Sequence, residues 1–167
     1  KTSSAASDVY KRQAQGIEAL TGFNLGAIPG ILVLAILTTR LPLVPLLSLF
    51  FLSAGGVLAY VGLTESTALR SLMTLIFIGG VFLHGGFTCL YALATQAYPS
   101  DVRAAGVGWA AGLGRTGAIA SPLLAAALIS AGWGMYSLFL SFALPLVIGG
   151  LLPVSYTHLT LPTTSCV

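Results

Sequence analysis

The chain has 167 residues, 56% of them hydrophobic and only 7% charged, with a formal net charge of +3. Ordinary globular chains carry about 25% charged residues; charge is expensive to bury in hydrocarbon, so this depletion excludes a water-soluble domain. Most of the positive excess comes from Lys1, Lys11 and Arg12, and no basic run lies in the apolar body, which excludes a nucleic-acid surface.

Both ends differ in character from the middle. Ser3 to Gln13 reads SSAASDVYKRQ, and Val154 to Thr163 reads VSYTHLTLPT. Both back-translate into opposite strands of one transposon adapter used to build sequencing libraries. Residues 1–13 and 154–167 are therefore expected to be non-native tails, set aside as a tag would be. The body, 14–153, is expected to be an internal piece of a longer reading frame.

Within the body, about five apolar stretches follow one another, each near the ~20 residues that cross a bilayer. The first runs from about Ala19 to Leu37. Gly22, Gly26 and Gly30 fall on one helix face there, where a neighbouring backbone can approach closely. Pro29 should bend this helix. Thr38 to Pro42 is the first link, with Arg40. The second span, about Leu43 to Leu63, is uniformly apolar. A polar link from Thr64 to Arg70 carries Glu65. The third span, about Ser71 to Gln96, holds His84 and Cys89. Tyr98 to Arg103 forms the third link. The fourth span, about Ala104 to Ala131, is rich in Gly and Ala, and Gly106, Gly108, Gly112, Gly114 and Gly117 read as close-packing faces. Gly132-Trp133-Gly134 is a tight turn, and the fifth span, about Met135 to Leu152, ends at Pro153. The fold class expected is an all-α polytopic membrane helix bundle.

Successive links must alternate sides. Links one and three carry Arg40 and Arg103, and Lys/Arg bias marks the cytoplasmic side, so both are placed in the cytoplasm.

The segment YALATQAYPSDVRAAGVGWAAGLGRTGAIASPLLAAALISAG, Tyr91 to Gly132, resembles the tenth and eleventh helices of a major facilitator superfamily transporter. Tyr98-Pro99, Val102-Arg103-Ala104, Gly106-Val107-Gly108, Gly114-Arg115, Gly117 and Pro122 carry the likeness. It is closest to the aromatic acid:proton symporter branch, with its 4-hydroxybenzoate and 3-phenylpropionate carriers. Phe23-Asn24-Leu25-Gly26 is similar to the branch's eighth helix. The resemblance makes the five spans helices eight to twelve of twelve, with helix seven and the whole N-terminal half missing. It implies a multi-pass protein of the inner (cytoplasmic) membrane. It also implies proton-coupled symport of benzoate-like or phenylpropionate-like carboxylates by alternating access, with substrate near midplane between two six-helix halves. The family's acidic-basic signature after helix eight stands here as Thr38-Thr39-Arg40, without an acid.

Arg115 is the strongest candidate for substrate binding. It lies roughly 16 Å into the fourth span at 1.5 Å per residue, near mid-bilayer, and its guanidinium presents a fork that fits a carboxylate. The competing reading is a snorkelling arginine or an interhelical pair. His84 is flanked by Gly85 and Gly86, small neighbours that could open room for a ligand. It could relay a proton, bond a carboxylate or simply bridge helices. Asn24 and Tyr91 could contact substrate or link helices. Trp109 could stack on an aromatic acid or pack. Arg103, Asp101 and Arg40 are read as cytoplasmic anchors or gates, and Glu18 as an interfacial acid.

Cys89 and Cys166 have no metal or disulfide spacing, and Cys89 reads as a small buried hydrophobe. No HExxH and no Ser-His-Asp spacing is present, so no metal, no cofactor and no enzyme are expected. The partners expected are a small aromatic carboxylate, a proton, lipid and the missing half. The rival readings are a carrier for a sugar, drug or dicarboxylate, and a non-transporting membrane scaffold or receptor.

Overall fold

The computed structural model describes residues 2–64 and 68–160, with side chains described over 7–64 and 68–153. Glu65 and Cys166 lie outside the described residues. In chain order the helices are α1 (Thr2–Leu25), α2 (Ala27–Leu37), α3 (Leu43–Leu63), α4 (Leu69–Ala97), α5 (Arg103–Ser130) and α6 (Met135–Thr160). α1 and α2 form one span in two pieces. Five segments are long and apolar enough to cross a membrane: Ser7–Leu37, Leu43–Leu63, Leu69–Ala97, Arg103–Ser130 and Met135–Pro153. Helices satisfy every backbone group internally, which hydrocarbon requires. The fold is thus the expected all-α polytopic bundle. α1 and α6 run through the expected tail boundaries without interruption.

The first span breaks at Gly26, one turn before Pro29. Proline has no N–H to give the carbonyl four residues back, and its ring crowds that carbonyl. That carbonyl belongs to Leu25, the last residue of α1. Gly26 and Gly30 still donate to the carbonyls of Gly22 and Gly26, both at 3.1 Å, so the hydrogen-bonded path continues across the break.

α3 is the centre of the bundle. Leu46, Leu47, Phe50 and Phe51 are buried with Leu34 of α2 and Cys89 of α4. The Cys89 thiol, fully buried, donates to the carbonyl of Leu43 at 3.2 Å. α6 lies antiparallel on the other side of α3. A Cβ on Gly55 would meet Val147, one on Gly62 would meet Leu140, and one on Gly150 would meet Leu52.

α2 runs parallel to α4 with backbone against backbone. A Cβ on Gly26 would strike the Phe77 carbonyl oxygen, one on Gly30 the Val81 carbonyl, and one on Gly80 the Phe23 carbonyl. Gly22, expected on the same close-packing face, has open space beside it.

α5 stands apart, with no buried residue. It is tied back at its start, where the Tyr98 ring covers Gly106. The glycines expected to pack helix against helix do not do so: a Cβ on Gly108, Gly112, Gly114 or Gly117 would have nothing within 4 Å. Small residues permit close approach but do not supply a partner. α5 ends in a Schellman turn, with Trp133 donating to Leu128 and Gly132 to Ile129, both at 3.0 Å. Gly132 takes φ of 86°, a conformation glycine adopts freely.

Candidate functional site

The links that carry Arg40 and Arg103 lie at one end of the bundle, because α3 leads away from that end and α4 returns to it. Arg40 is exposed in a tight turn where its N–H donates to Leu37 at 3.0 Å. Thr38 and Thr39 hydroxyls close the end of α2 by donating to Ala35 at 2.8 Å and Ile36 at 2.7 Å. At the other link, Asp101 accepts from the Ser100 hydroxyl at 3.1 Å, while Arg103 Nε donates to the Tyr98 carbonyl at 3.3 Å. Arg103 thus ties the start of α5 to the end of α4. Its bond goes to backbone, and Asp101 has a different partner.

Arg115 sits in the middle third of α5, about 18 Å along the helix from Arg103. It is exposed. Trp109, 72% exposed, lies on the open side of the same helix, beside a shallow depression formed with Ala105, Gly108, Gly112 and Leu113. Tyr91 is exposed on α4, seven residues and therefore two turns from His84 on one face. Asn24 is exposed at the end of α1, with its amide N–H donating to Leu20 at 2.8 Å. Glu18 is exposed further back along α1.

His84 is half-buried at the middle of α4. Its Nδ1 lies 2.9 Å from the Gly80 carbonyl, and its ring is tilted against Phe23 of α1 with centroids 5.0 Å apart. The room expected at its neighbours Gly85 and Gly86 is taken. A Cβ on Gly85 would collide with the Phe50 ring and one on Gly86 with the Phe51 ring. Phe50 also meets Phe82 edge-on at 6.0 Å, and Phe51 meets Phe87 likewise at 6.0 Å. Those two glycines therefore seat α3 and leave no ligand space on the α3 side of α4.

His84 and Tyr91 share a face of α4, and Phe23, the neighbour of Asn24, touches His84. Trp109 and Arg115 stand on α5. Among the described residues no hydrogen bond or ring contact joins any two of these five. No cluster of His, Cys, Asp or Glu suited to a metal occurs among them either.

One feature was not legible in the sequence. A groove of about 730 Å³ opens between α5 and the rest of the bundle, with walls from α1, α3, α4, α5 and α6 that include Phe23, Phe87, Phe139, Phe142 and Ser121. Its α5 wall is the small face of Gly114, Gly117, Ala118 and Ser121. Spacing could have shown that face, and the 139–142 pair on α6, but not that they converge. None of the five candidate residues lines it, although Phe23, Leu83 and Gly114 stand next in sequence to Asn24, His84 and Arg115.

Residues 7–166 match the sequence model of the Major Facilitator Superfamily. The chain is 32% identical over 139 residues to the 3-(3-hydroxy-phenyl)propionate transporter of Escherichia coli, covering 83% of this chain and 34% of that protein. It is 33% identical over 99 residues to the 4-hydroxybenzoate transporter of Pseudomonas aeruginosa, covering 59% and 22%. It is 38% identical over 88 residues to the gallate transporter of Pseudomonas putida, covering 53% and 20%. The chain spans about a third or less of the length of these curated relatives.

Proposed function

The chain belongs to the Major Facilitator Superfamily and is a multi-pass membrane protein, and from that premise we propose that it is part of a proton-coupled symporter for small aromatic carboxylates. The observation that carries this reading is the exposure of Arg115 halfway along a membrane-spanning helix. A charge at that depth faces a protein interior or a water-filled path and marks a substrate route by default. Asn24 and Tyr91 present polar groups outside the packed core in the same way. The relatives named above are transporters of aromatic acids, and the two whose names spell it out carry a hydroxyl on the ring.

In this reading Arg115 attracts the carboxylate, His84, Asn24, Tyr91 and Trp109 line the path, and Arg103, Asp101 and Arg40 hold the cytoplasmic ends of the helices in an inner membrane. The spans are helices eight to twelve of a twelve-helix carrier. The groove beside α5 fits this: its walls are apolar apart from Ser121, so it suits an apolar helix contributed by the rest of the carrier better than a carboxylate. The substrate path lies where that remainder faces Arg115, and the proton-coupling acids belong there too. Residues 1–13 and 154–167 are read as foreign to the carrier, which resequencing the source gene across both boundaries tests.

The function is tested with the intact carrier in proteoliposomes under an imposed pH gradient, acid outside. Accumulation of 4-hydroxybenzoate or benzoate that disappears when the gradient is collapsed is the expected result. Gradient-driven uptake of a sugar, a drug or a dicarboxylate in place of these acids replaces the substrate class. No uptake of any solute under the gradient leaves a scaffold or receptor.

A further inference from the structure

His84 carries more chemical information than its position alone. Its Nδ1 is 2.9 Å from the Gly80 carbonyl oxygen, one turn back in α4. A carbonyl oxygen only accepts, so the Nδ1 atom must carry the hydrogen and donate it. In the neutral ring the other nitrogen, Nε2, is then a bare lone pair. Among the described residues no hydrogen bond reaches Nε2, and Phe23 lies against the ring with a tilted aromatic face. The side chain is half-buried and stands at the middle of a 29-residue spanning helix.

A bare acceptor at that depth selects its ligand by chemistry. A carboxylate is acceptor-only and is repelled by Nε2, so the neutral ring cannot hold the acid group of a substrate. An O–H donor fits. Gly80 and Phe23 together hold the ring so that its one free polar atom is an acceptor. Tyr91, two turns on along the same face, adds a phenol that can donate or accept.

We propose that His84 is a specificity-determining residue whose Nε2 accepts a hydrogen bond from the ring hydroxyl of a phenolic acid. The assignment rests on the proposed aromatic-acid reading. A phenolic acid is then preferred over its unsubstituted parent, and an aryl ether, with no hydrogen to give, loses the preference.

The test is zero-trans uptake by the intact carrier in proteoliposomes, with 4-hydroxybenzoate, benzoate and 4-methoxybenzoate as substrates. The unmodified protein should show a KM for 4-hydroxybenzoate about fivefold lower than for benzoate, the scale of one net hydrogen bond. 4-Methoxybenzoate should fare no better than benzoate. In His84→Leu the ratio of hydroxybenzoate to benzoate KM should collapse toward one. His84→Gln keeps an acceptor and should retain part of the preference. Equal handling of the hydroxy and methoxy acids by the unmodified protein overturns the assignment and needs no variant to fold. An unchanged ratio in His84→Leu overturns it too. These results leave the aromatic-acid reading standing. Transport of none of the three acids overturns that reading and the assignment with it.

Discussion

Gly30 of α2 lies backbone to backbone against Val81 of α4, so close that a Cβ on Gly30 would sit on the Val81 carbonyl. Backbone cannot rotate aside as a side chain can. Gly30→Ala should therefore cost about 1–3 kcal/mol through overpacking, near the upper end. Gly22, two turns earlier on what the sequence presents as the same face, has open space. Gly22→Ala should be neutral or stabilise by about 0.5–1 kcal/mol, since glycine is a poor helix former. Thermal unfolding of the two variants in detergent checks the contrast. Equal effects would mean that α2 and α4 do not touch at Gly30.

That contrast shows what the sequence reveals and where it falls silent. The spans at 43–63 and 135–153 were legible almost to the residue, because bilayer thickness fixes the length of an apolar run. The break before Pro29 and the turn at Gly132 were legible because a missing N–H and a positive φ are local facts. Facing is different. A helix that is apolar all round has no polar face to say which side is in. The sequence therefore presents Gly85 and Gly86 as room for a ligand, although Phe50 and Phe51, distant in the chain, occupy it. It likewise presents the α5 glycines as packed, although Gly108, Gly112, Gly114 and Gly117 have open space beside them. Of the candidate residues, the places along the helices were readable. The free acceptor on His84 was not, because it depends on a hydrogen bond to Gly80.

The Tyr98 ring covers Gly106, with ring carbons 2.7–2.8 Å from where a Cβ would stand. The same link is held by Arg103 donating to the Tyr98 carbonyl. Gly106→Val must push the ring off and should cost about 1–3 kcal/mol. Tyr98→Ala, which removes a partly exposed ring, should cost less. The double variant should be more stable than the sum of the two effects, because the clash needs both partners. A thermal-unfolding cycle in detergent measures the coupling, and strict additivity would separate the two residues.

Residues 14–153 alone should not accumulate substrate. α5 has no buried residue, and Arg115, Asn24 and Tyr91 would meet lipid or bulk water in place of a pathway wall. A polar group at that depth without protein around it is penalised, so the isolated bundle has no closed route to offer. Reconstituted residues 14–153 should show no pH-driven accumulation of 4-hydroxybenzoate, whereas the intact carrier should. Accumulation by the piece alone would place the whole pathway within these five spans.

Arg115 gives the most direct test of the carboxylate site. A charged hydrogen bond contributes about 1.5–3 kcal/mol, which corresponds to roughly 10- to 100-fold in affinity. Arg115→Ala in the intact carrier should raise KM for benzoate by that factor. Arg115→Lys keeps the charge but loses the planar fork, so it should recover only part of the loss. The His84 assignment adds a second expectation. Losing the carboxylate partner weakens the hydroxylated and unsubstituted acids alike, so the KM ratio of 4-hydroxybenzoate to benzoate should survive Arg115→Ala even as both values climb. Uptake kinetics for the two acids in both variants separate the roles. Unchanged benzoate kinetics in Arg115→Ala would remove the arginine from substrate binding and make it an interfacial or interhelical cation instead.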